Sequence, residues 1–220
     1  MTDFFKFPDA TNRVSIVGAT GSGKTRFGVY MFSHSSFKRR PHIVFDFKGD
    51  DLIGQIPYAH EMSVKDKVPK YPGLYIVRPG PHEADAVDDL LWRIWEKENT
   101  GIFVDEGYMI DKNSAPLNAL LTQGRSKRIP MHILTQRPVA CSRFIFSEAS
   151  YYACFRMQDM RDYKIIEGFT PFDFSTGLPP FHARWYDVAR DWSAVLKPVP
   201  KDGEILDRFE RELKPKKRAI

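Results

Sequence analysis

The sequence is poor in cysteine and contains no long hydrophobic run, and each shortage excludes a class of protein. Its 220 residues include two cysteines, Cys141 and Cys154, and neither has neighbours at the spacing of metal ligands. We expect both to be packed intracellular thiols. No segment approaches the roughly 18 consecutive apolar residues that a membrane-spanning helix needs, and the first residues lack the pattern of a signal peptide. A cytoplasmic location is the expectation.

Histidine is also sparse, and positive charge is in only modest excess. The six histidines are scattered, and no two stand at a spacing that would seat a metal ion. The net charge of +5 is concentrated in residues 38–40, 125–128 and 214–218. Such clusters permit phosphate contacts with a nucleic acid, but a solvated surface or, for the last cluster, a flexible basic tail explains them equally well. The 42% hydrophobic content excludes a disordered chain.

Short apolar segments alternate with amphipathic segments along most of the chain. Strands are predicted at residues 13–17, 42–46, 74–77, 101–104, 131–135 and 151–155. Helices are predicted at residues 24–32, 82–99 and 116–123. This alternation predicts an α/β fold with a mainly parallel central sheet flanked by helices.

The C-terminal part has a different pattern. Apolar segments at residues 182–187 and 192–196 flank a polar turn, which predicts a C-terminal β-hairpin. We expect a single domain over residues 1–200, with a core at about 13–168 and the hairpin within about 180–197. A C-terminal helix and the basic tail are expected at 201–220.

A glycine-rich segment lies between the first predicted strand and the first predicted helix. It consists of Gly18, Ala19, Thr20, Gly21, Ser22, Gly23, Lys24 and Thr25. Its glycines let backbone amides approach phosphates, and the following helix start favours an anion. Lys24 suits the β- and γ-phosphates and Thr25 suits Mg²⁺. The segment therefore predicts a P-loop (Walker A) that binds ATP and Mg²⁺.

Two acidic residues and a glutamine follow later strands. Asp105 and Glu106 end the strand predicted at 101–104, at the edge of the sheet where ligands bind in α/β proteins. We expect Asp105 to hold the Mg²⁺ and Glu106 to polarise the attacking water, as in a Walker B motif. Gln136 ends the next strand and is expected beside Glu106, in reach of the γ-phosphate and the water. A glutamate next to the metal ligand favours hydrolysis over nucleotide sensing.

The order of P-loop, Val-Asp-Glu and Thr-Gln-Arg-Pro (residues 135–138) resembles the FtsK/HerA superfamily of DNA-pumping ATPases. Residues 46–49, Asp-Phe-Lys-Gly, are similar to that superfamily's Asp-Pro-Lys segment, with Phe47 in place of the proline. The short chain looks like the genome-packaging ATPases of tailless, membrane-containing icosahedral (tectivirus-like) viruses. The resemblance implies a RecA-like P-loop fold and a homo-oligomeric ring that passes double-stranded DNA through its centre. Six subunits are favoured for this ring, and five are the alternative.

The resemblance also implies functional arginines and partners. An arginine supplied by the neighbouring subunit is expected, and the candidates are Arg161, Arg156 and Arg125. Candidate contacts with DNA phosphates are Lys112, Arg125, Lys127 and Arg128. A capsid or vertex protein is a further expected partner, which would place the chain in the host cytoplasm, at the virion or procapsid vertex.

Three other functions stay open on the sequence. A Zot-like assembly ATPase of filamentous phages is one, although those proteins usually carry a membrane span. A nucleotide-gated regulatory module is another, and Glu106 argues against it. A small-molecule kinase is the third, but no acceptor pocket or lid is recognisable.

Overall fold

A computed structural model describes residues 5–9 and 11–215. In that part of the chain the strands are β1 (Arg13–Val17), β2 (Pro41–Asp46), β3 (His60–Met62), β4 (Gly73–Val77), β5 (Gly101–Asp105), β6 (Met131–Thr135), β7 (Tyr151–Cys154), β8 (Ala183–Asp187) and β9 (Trp192–Leu196). The α-helices are α1 (Lys24–Phe32), α2 (Asp51–Gly54), α3 (Ala84–Lys97), α4 (Ala115–Gln123), α5 (Phe144–Ser147), α6 (Met160–Glu167) and α7 (Asp202–Leu213).

The nine strands of the described residues form one mixed sheet in the order β3-β4-β2-β5-β6-β1-β7-β8-β9. All pairings from β3 to β7 are parallel, whereas β8 and β9 pair antiparallel. The predicted parallel sheet and the C-terminal hairpin are both confirmed, and the hairpin extends the sheet beyond β7. Parallel pairing places the carboxyl ends of β1, β2, β5, β6 and β7 at one edge of the sheet.

Apolar side chains cover both faces of this sheet, which explains why the central strands are continuous hydrophobic runs. On one face, α3 buries Val87, Leu90, Leu91 and Ile94, which recur at helical spacing. On the other face, α1 and α7 bury an aromatic cluster that includes Phe32 and Phe209. Burial of this apolar area is the main stabilising term of the domain.

Several elements differ from their predicted extents or were missed. The helix predicted at 82–99 covers 84–97, and β7 ends one residue earlier than predicted. The short elements β3, α2 and α5 were not predicted, and neither was α6, which is capped by Asp159 and buries only Asp162 and Ile166. These elements are too short or too polar to show a hydrophobic period.

The C-terminal segment forms α7, which buries Ile205 and Phe209, while residues 216–218 of the predicted basic tail lie outside the described residues. Both cysteines are free and buried, as expected. None of the helices in the described ranges has the length and apolarity required to cross a bilayer.

Candidate active site

The P-loop leaves the carboxyl end of β1 and is held by the strands on either side. The amide of Gly18 donates to the carbonyl of Thr135 at 3.2 Å, and the amide of Ala19 donates to the carbonyl of Arg156 at 2.8 Å. Gly21 and Gly23 have φ angles of +76° and +94°, a region that side chains with a Cβ rarely adopt. The loop therefore has the backbone conformation that a phosphate cradle needs, and α1 begins directly after it at Lys24.

Glu106 lies at the centre of the site and is almost fully buried, with 1% of its surface exposed. Its Oε1 atom accepts from Lys24 Nζ at 2.9 Å and from Lys48 Nζ at 2.6 Å. Glu106 has a left-handed φ of 69°, a conformation that costs of order 1 kcal/mol or more for a residue with a side chain. The fold accepts this cost because the turn directs the carboxylate toward the P-loop.

Lys48 lies in the segment that resembles the superfamily's Asp-Pro-Lys, but it was not predicted as a site residue. Lys48 follows β2, which lies beside β5 in the sheet with Asp46 opposite Asp105. Partial burial lowers the pKa of Lys48, but its hydrogen bond with Glu106 and the charge of that carboxylate outweigh burial and raise the pKa. No local pattern identifies this contact, because it joins residues from separate strands.

Asp105 and Thr25 form the expected pair of oxygen donors. The Thr25 hydroxyl donates to Asp105 Oδ1 at 3.3 Å. Burial, and then the neighbouring charge of Glu106, raise the pKa of Asp105 to about 6. A desolvated carboxylate beside a hydroxyl gains most from a bound cation, and hard oxygen donors of this kind suit Mg²⁺. The residues present therefore fit the cation that the P-loop implies.

Gln136 lies beside Glu106, as the sequence predicted. Its backbone amide faces Glu106 Oε2 at 3.4 Å, and its side-chain amide donates to the Tyr108 hydroxyl at 3.1 Å. The Thr20 hydroxyl donates to the side-chain oxygen of Gln136. Gln136 thus joins the P-loop to the turn after β5, and Tyr108 is a further residue of this network that sequence reasoning missed.

A cavity of about 300 Å³ opens beside residues 19–22 of the P-loop, next to the segment that follows β7. Its lining includes Phe155, Arg156, Pro180, Phe181 and His182. The Phe181 ring packs over Gly23, where Phe181 Cδ1 lies 3.1 Å from the position a Cβ would take. Glu106 contacts Lys24 at the end of the P-loop and Gln136 contacts Thr20, whereas the cavity is lined by residues 19–22. The sequence carried no signal for it, because the residues after 177 come from the β8 side of the sheet.

The three candidate arginines occupy different places. Arg156 is exposed and lines the cavity beside the P-loop. Arg161 is the second residue of α6, keeps 73% of its side chain exposed and pairs with Asp159 at 2.7 Å. Arg125 is exposed between α4 and β6, at the amino edge of the sheet opposite the P-loop. A role for any of them in a neighbouring subunit stays a prediction.

The predicted DNA contacts do not share one surface. Lys112 is exposed in the loop between β5 and α4, near the carboxyl edge. Arg125 and Arg128 are exposed at the amino edge. Lys127 is the least available, because it pairs with Glu98 at 2.6 Å, lies 3.9 Å from the centre of the Trp95 ring and keeps 18% of its side chain exposed. The structure therefore separates Lys112 from the other three residues.

The sequence of the chain matches that of a known ATPase. No protein-family model matches the chain. The chain is 41% identical over 216 residues to the DNA packaging ATPase P9 of Enterobacteria phage PRD1, and the match covers 93% of this chain and 95% of P9. The chain belongs to the P9 family. The predicted relationship to packaging ATPases is therefore confirmed.

Solved structures with lower sequence identity show the fold. The genome packaging NTPase B204 of Sulfolobus turreted icosahedral virus 2 matches with a TM-score of 0.67 and 17% identity, over 88% of this chain and all of B204. The N-terminal domain of zonular occludens toxin from Neisseria meningitidis matches with a TM-score of 0.51 and 15% identity, over 88% of this chain and 98% of that domain. The P9-family chain thus has a P-loop NTPase fold that is shared more widely than its sequence family.

Proposed function

We propose that this chain is an ATP-driven motor that moves double-stranded DNA into a preformed viral capsid. The observation that carries the proposal is the match to P9, named a DNA packaging ATPase, along nearly the whole length of both chains. The site supports an active ATPase, because a buried glutamate lies within hydrogen-bond distance of the P-loop lysine. A regulatory module that only senses nucleotide has no need for that carboxylate.

ATP lies along the P-loop with its γ-phosphate toward Glu106 and its base toward Phe181. Backbone amides of residues 18–25 cradle the phosphates, and Lys24 turns from Glu106 to the β- and γ-phosphates. The ring of Phe181 and the apolar part of the cavity, which includes Phe155 and Pro180, accept the base, since a planar ring packs well against such side chains. The support for this orientation is that Glu106 contacts Lys24, while the cavity beside Phe155 and Phe181 is lined by residues 19–22.

Hydrolysis is an in-line attack of water on the γ-phosphorus, with ADP as the leaving group. Glu106 orients the water and accepts its proton, and the side-chain amide of Gln136 fixes water and γ-phosphate relative to each other. Thr25 and Asp105 would hold Mg²⁺, which when bound neutralises charge on the β- and γ-phosphates. The bond between the γ-phosphorus and the bridging oxygen breaks, and the new phosphate carries the oxygen of water.

The active form is a ring, for which six subunits are favoured over five. An arginine from the neighbouring subunit, Arg161, Arg156 or Arg125, stabilises charge on the transferred phosphoryl group. Subunits carrying Glu106→Gln, mixed with subunits carrying Arg→Ala at each candidate in turn, identify the residue. Only a mixed ring that pairs an intact glutamate with an intact arginine regains hydrolysis. If no candidate is needed, the proposal of an arginine supplied in trans fails for all three.

DNA contact is proposed at two separate places, Lys112 near the carboxyl edge of the sheet and Arg125, Lys127 and Arg128 away from it, and the contacts are with phosphates rather than bases. Because such contacts release counterions, binding weakens steeply as salt rises. Charge reversal at a true contact lowers the slope of this salt dependence, whereas reversal elsewhere leaves it unchanged. The motor acts in the host cytoplasm at the procapsid vertex, with a capsid or vertex protein as its docking partner.

The direct test is steady-state ATP hydrolysis with and without double-stranded DNA, with single-stranded DNA and RNA as comparison polymers. We expect double-stranded DNA to stimulate hydrolysis and a Lys24→Ala variant to lose it. Hydrolysis that no polymer changes would retain the ATPase and refute the coupling to DNA. Absence of hydrolysis, with DNA and procapsids present, would refute the motor itself.

A further inference from the structure

Two lysines share one oxygen of the buried Glu106 carboxylate, and only Lys24 belongs to the P-loop. Lys24 Nζ lies 2.9 Å and Lys48 Nζ 2.6 Å from Glu106 Oε1. Lys24 belongs to the P-loop, so its ammonium is required by the nucleotide. Lys48 lies outside the P-loop, in the segment after β2, and is not required for that contact. The two ammoniums therefore have different tasks when a nucleotide is bound.

The turn that carries Lys48 is held in place by the residue at its start. Asp46 is 1% exposed, and its Oδ1 accepts from the amide of Asp50 at 2.9 Å. Its other oxygen, Oδ2, accepts from Arg78 Nε at 2.9 Å. Gly49, with a φ of +68°, allows the chain to close this turn. The result is a braced loop that directs Lys48 across the sheet to the residue after β5.

When Lys24 leaves Glu106, the buried carboxylate needs another cation as its partner, and Lys48 is positioned to be that partner. When Lys24 moves to the phosphates, Glu106 stays buried in a site that has gained several negative charges. A buried carboxylate without a partner is costly, and repulsion by the phosphates would turn it away from the water. With its side chain 42% exposed, Lys48 can stay paired with Glu106 while Lys24 departs.

We propose that Lys48 is a positioning residue that holds the Glu106 carboxylate on the attacking water during hydrolysis. The inference rests on the proposed ATPase function and adds a residue to it. Lys48 acts through Glu106 and makes no contact with the nucleotide. It therefore contributes to the rate of the chemical step and not to nucleotide affinity.

The test is the effect of Lys48→Met on kcat and KM for ATP, with wild type and Lys67→Met measured beside it. Lys67 is an exposed lysine between β3 and β4, so its variant is a matched loss of charge. We expect kcat of Lys48→Met to fall about 10- to 100-fold, the range of one charged hydrogen bond. Its KM stays within about threefold of wild type. Lys48→Arg restores part of kcat, because the guanidinium also pairs with a carboxylate.

Each other outcome has a distinct meaning. A raised KM with unchanged kcat would mean that Lys48 binds the phosphate, and would overturn the positioning role. Wild-type kcat in Lys48→Met would overturn it as well. If Lys48→Met does not fold, Lys48→Gln keeps the test decisive, because it removes the charge and retains a donor. Failure of the wild type to hydrolyse ATP refutes the proposed function instead.

Discussion

Replacement of Glu106 by Gln should change both the rate of hydrolysis and the affinity for ATP, because Glu106 acts on the water and also pairs with Lys24. The substitution keeps the size of the side chain and removes its charge, at a position with 1% exposure where Lys24 Nζ approaches to 2.9 Å. The neutral amide is a poor proton acceptor, so turnover falls. Since Lys24 no longer faces a competing carboxylate, it is freer to bind phosphate. We therefore expect Glu106→Gln to lose hydrolysis and to bind ATP more tightly.

Both effects have an expected size. Loss of a general base costs about 10²- to 10⁴-fold in rate, or roughly 2.7 to 5.4 kcal/mol in the barrier. A hydrogen bond to a charged partner contributes about 1.5–3 kcal/mol, against about 0.5–1.5 kcal/mol for a neutral one. The difference of about 1 to 1.5 kcal/mol predicts ATP binding tighter by about 5- to 10-fold.

Single-turnover hydrolysis measures the first effect, and calorimetric titration with a non-hydrolysable ATP analogue measures the second. Glu96→Gln, an exposed position on α3, is the matched control and should change neither quantity. Hydrolysis by Glu106→Gln within threefold of wild type would refute Glu106 as the base. Unchanged or weaker binding would show that the Lys24–Glu106 contact does not compete with phosphate.

Three further predictions concern stability and the nucleobase. Burial lowers the pKa of His132 to about 4. The folded state therefore keeps the imidazole neutral, while the unfolded chain gains a proton below pH 6.5. As a result, the free energy of unfolding falls from pH 6.5 toward pH 4. His132→Phe should remove about 2 kcal/mol of the stability lost between pH 7.5 and pH 5 in denaturant unfolding, and parallel curves would refute this. Phe209→Ala empties a fully buried position between α7 and α1 and should cost about 3–5 kcal/mol in unfolding free energy. Asp202→Asn is the control, because it breaks only a half-exposed ion pair with Arg26 and should cost under about 1 kcal/mol. Equal losses of unfolding free energy in the two variants would contradict the role of α7 packing. Phe181→Ala should weaken ATP binding about 5- to 10-fold through lost stacking, while tripolyphosphate, which has no base, should bind as it does to wild type.

Features that depend on residues close together along the chain could be predicted from the sequence. The P-loop is one continuous segment, and its glycines, lysine and threonine show their chemistry at fixed spacing. Asp105 and Glu106 follow an apolar run that could only be a short buried strand. The long amphipathic helix α3 and the C-terminal hairpin have clear periods. The order of these local signals along the chain was enough to predict the fold class and the family.

Features that depend on which strands become neighbours could not be predicted in this way. Two strands and two helices separate β2 from β5 along the chain, yet they pair with Asp46 opposite Asp105, and this pairing brings Lys48 to Glu106. The contact of Phe181 with Gly23 requires the chain to return to the sheet, where β8 pairs with β7. Strand order is set by the packing of whole faces and by right-handed crossovers, not by any short segment. By itself the sequence determined the chemical groups of the site, and the tertiary structure decided which of them meet.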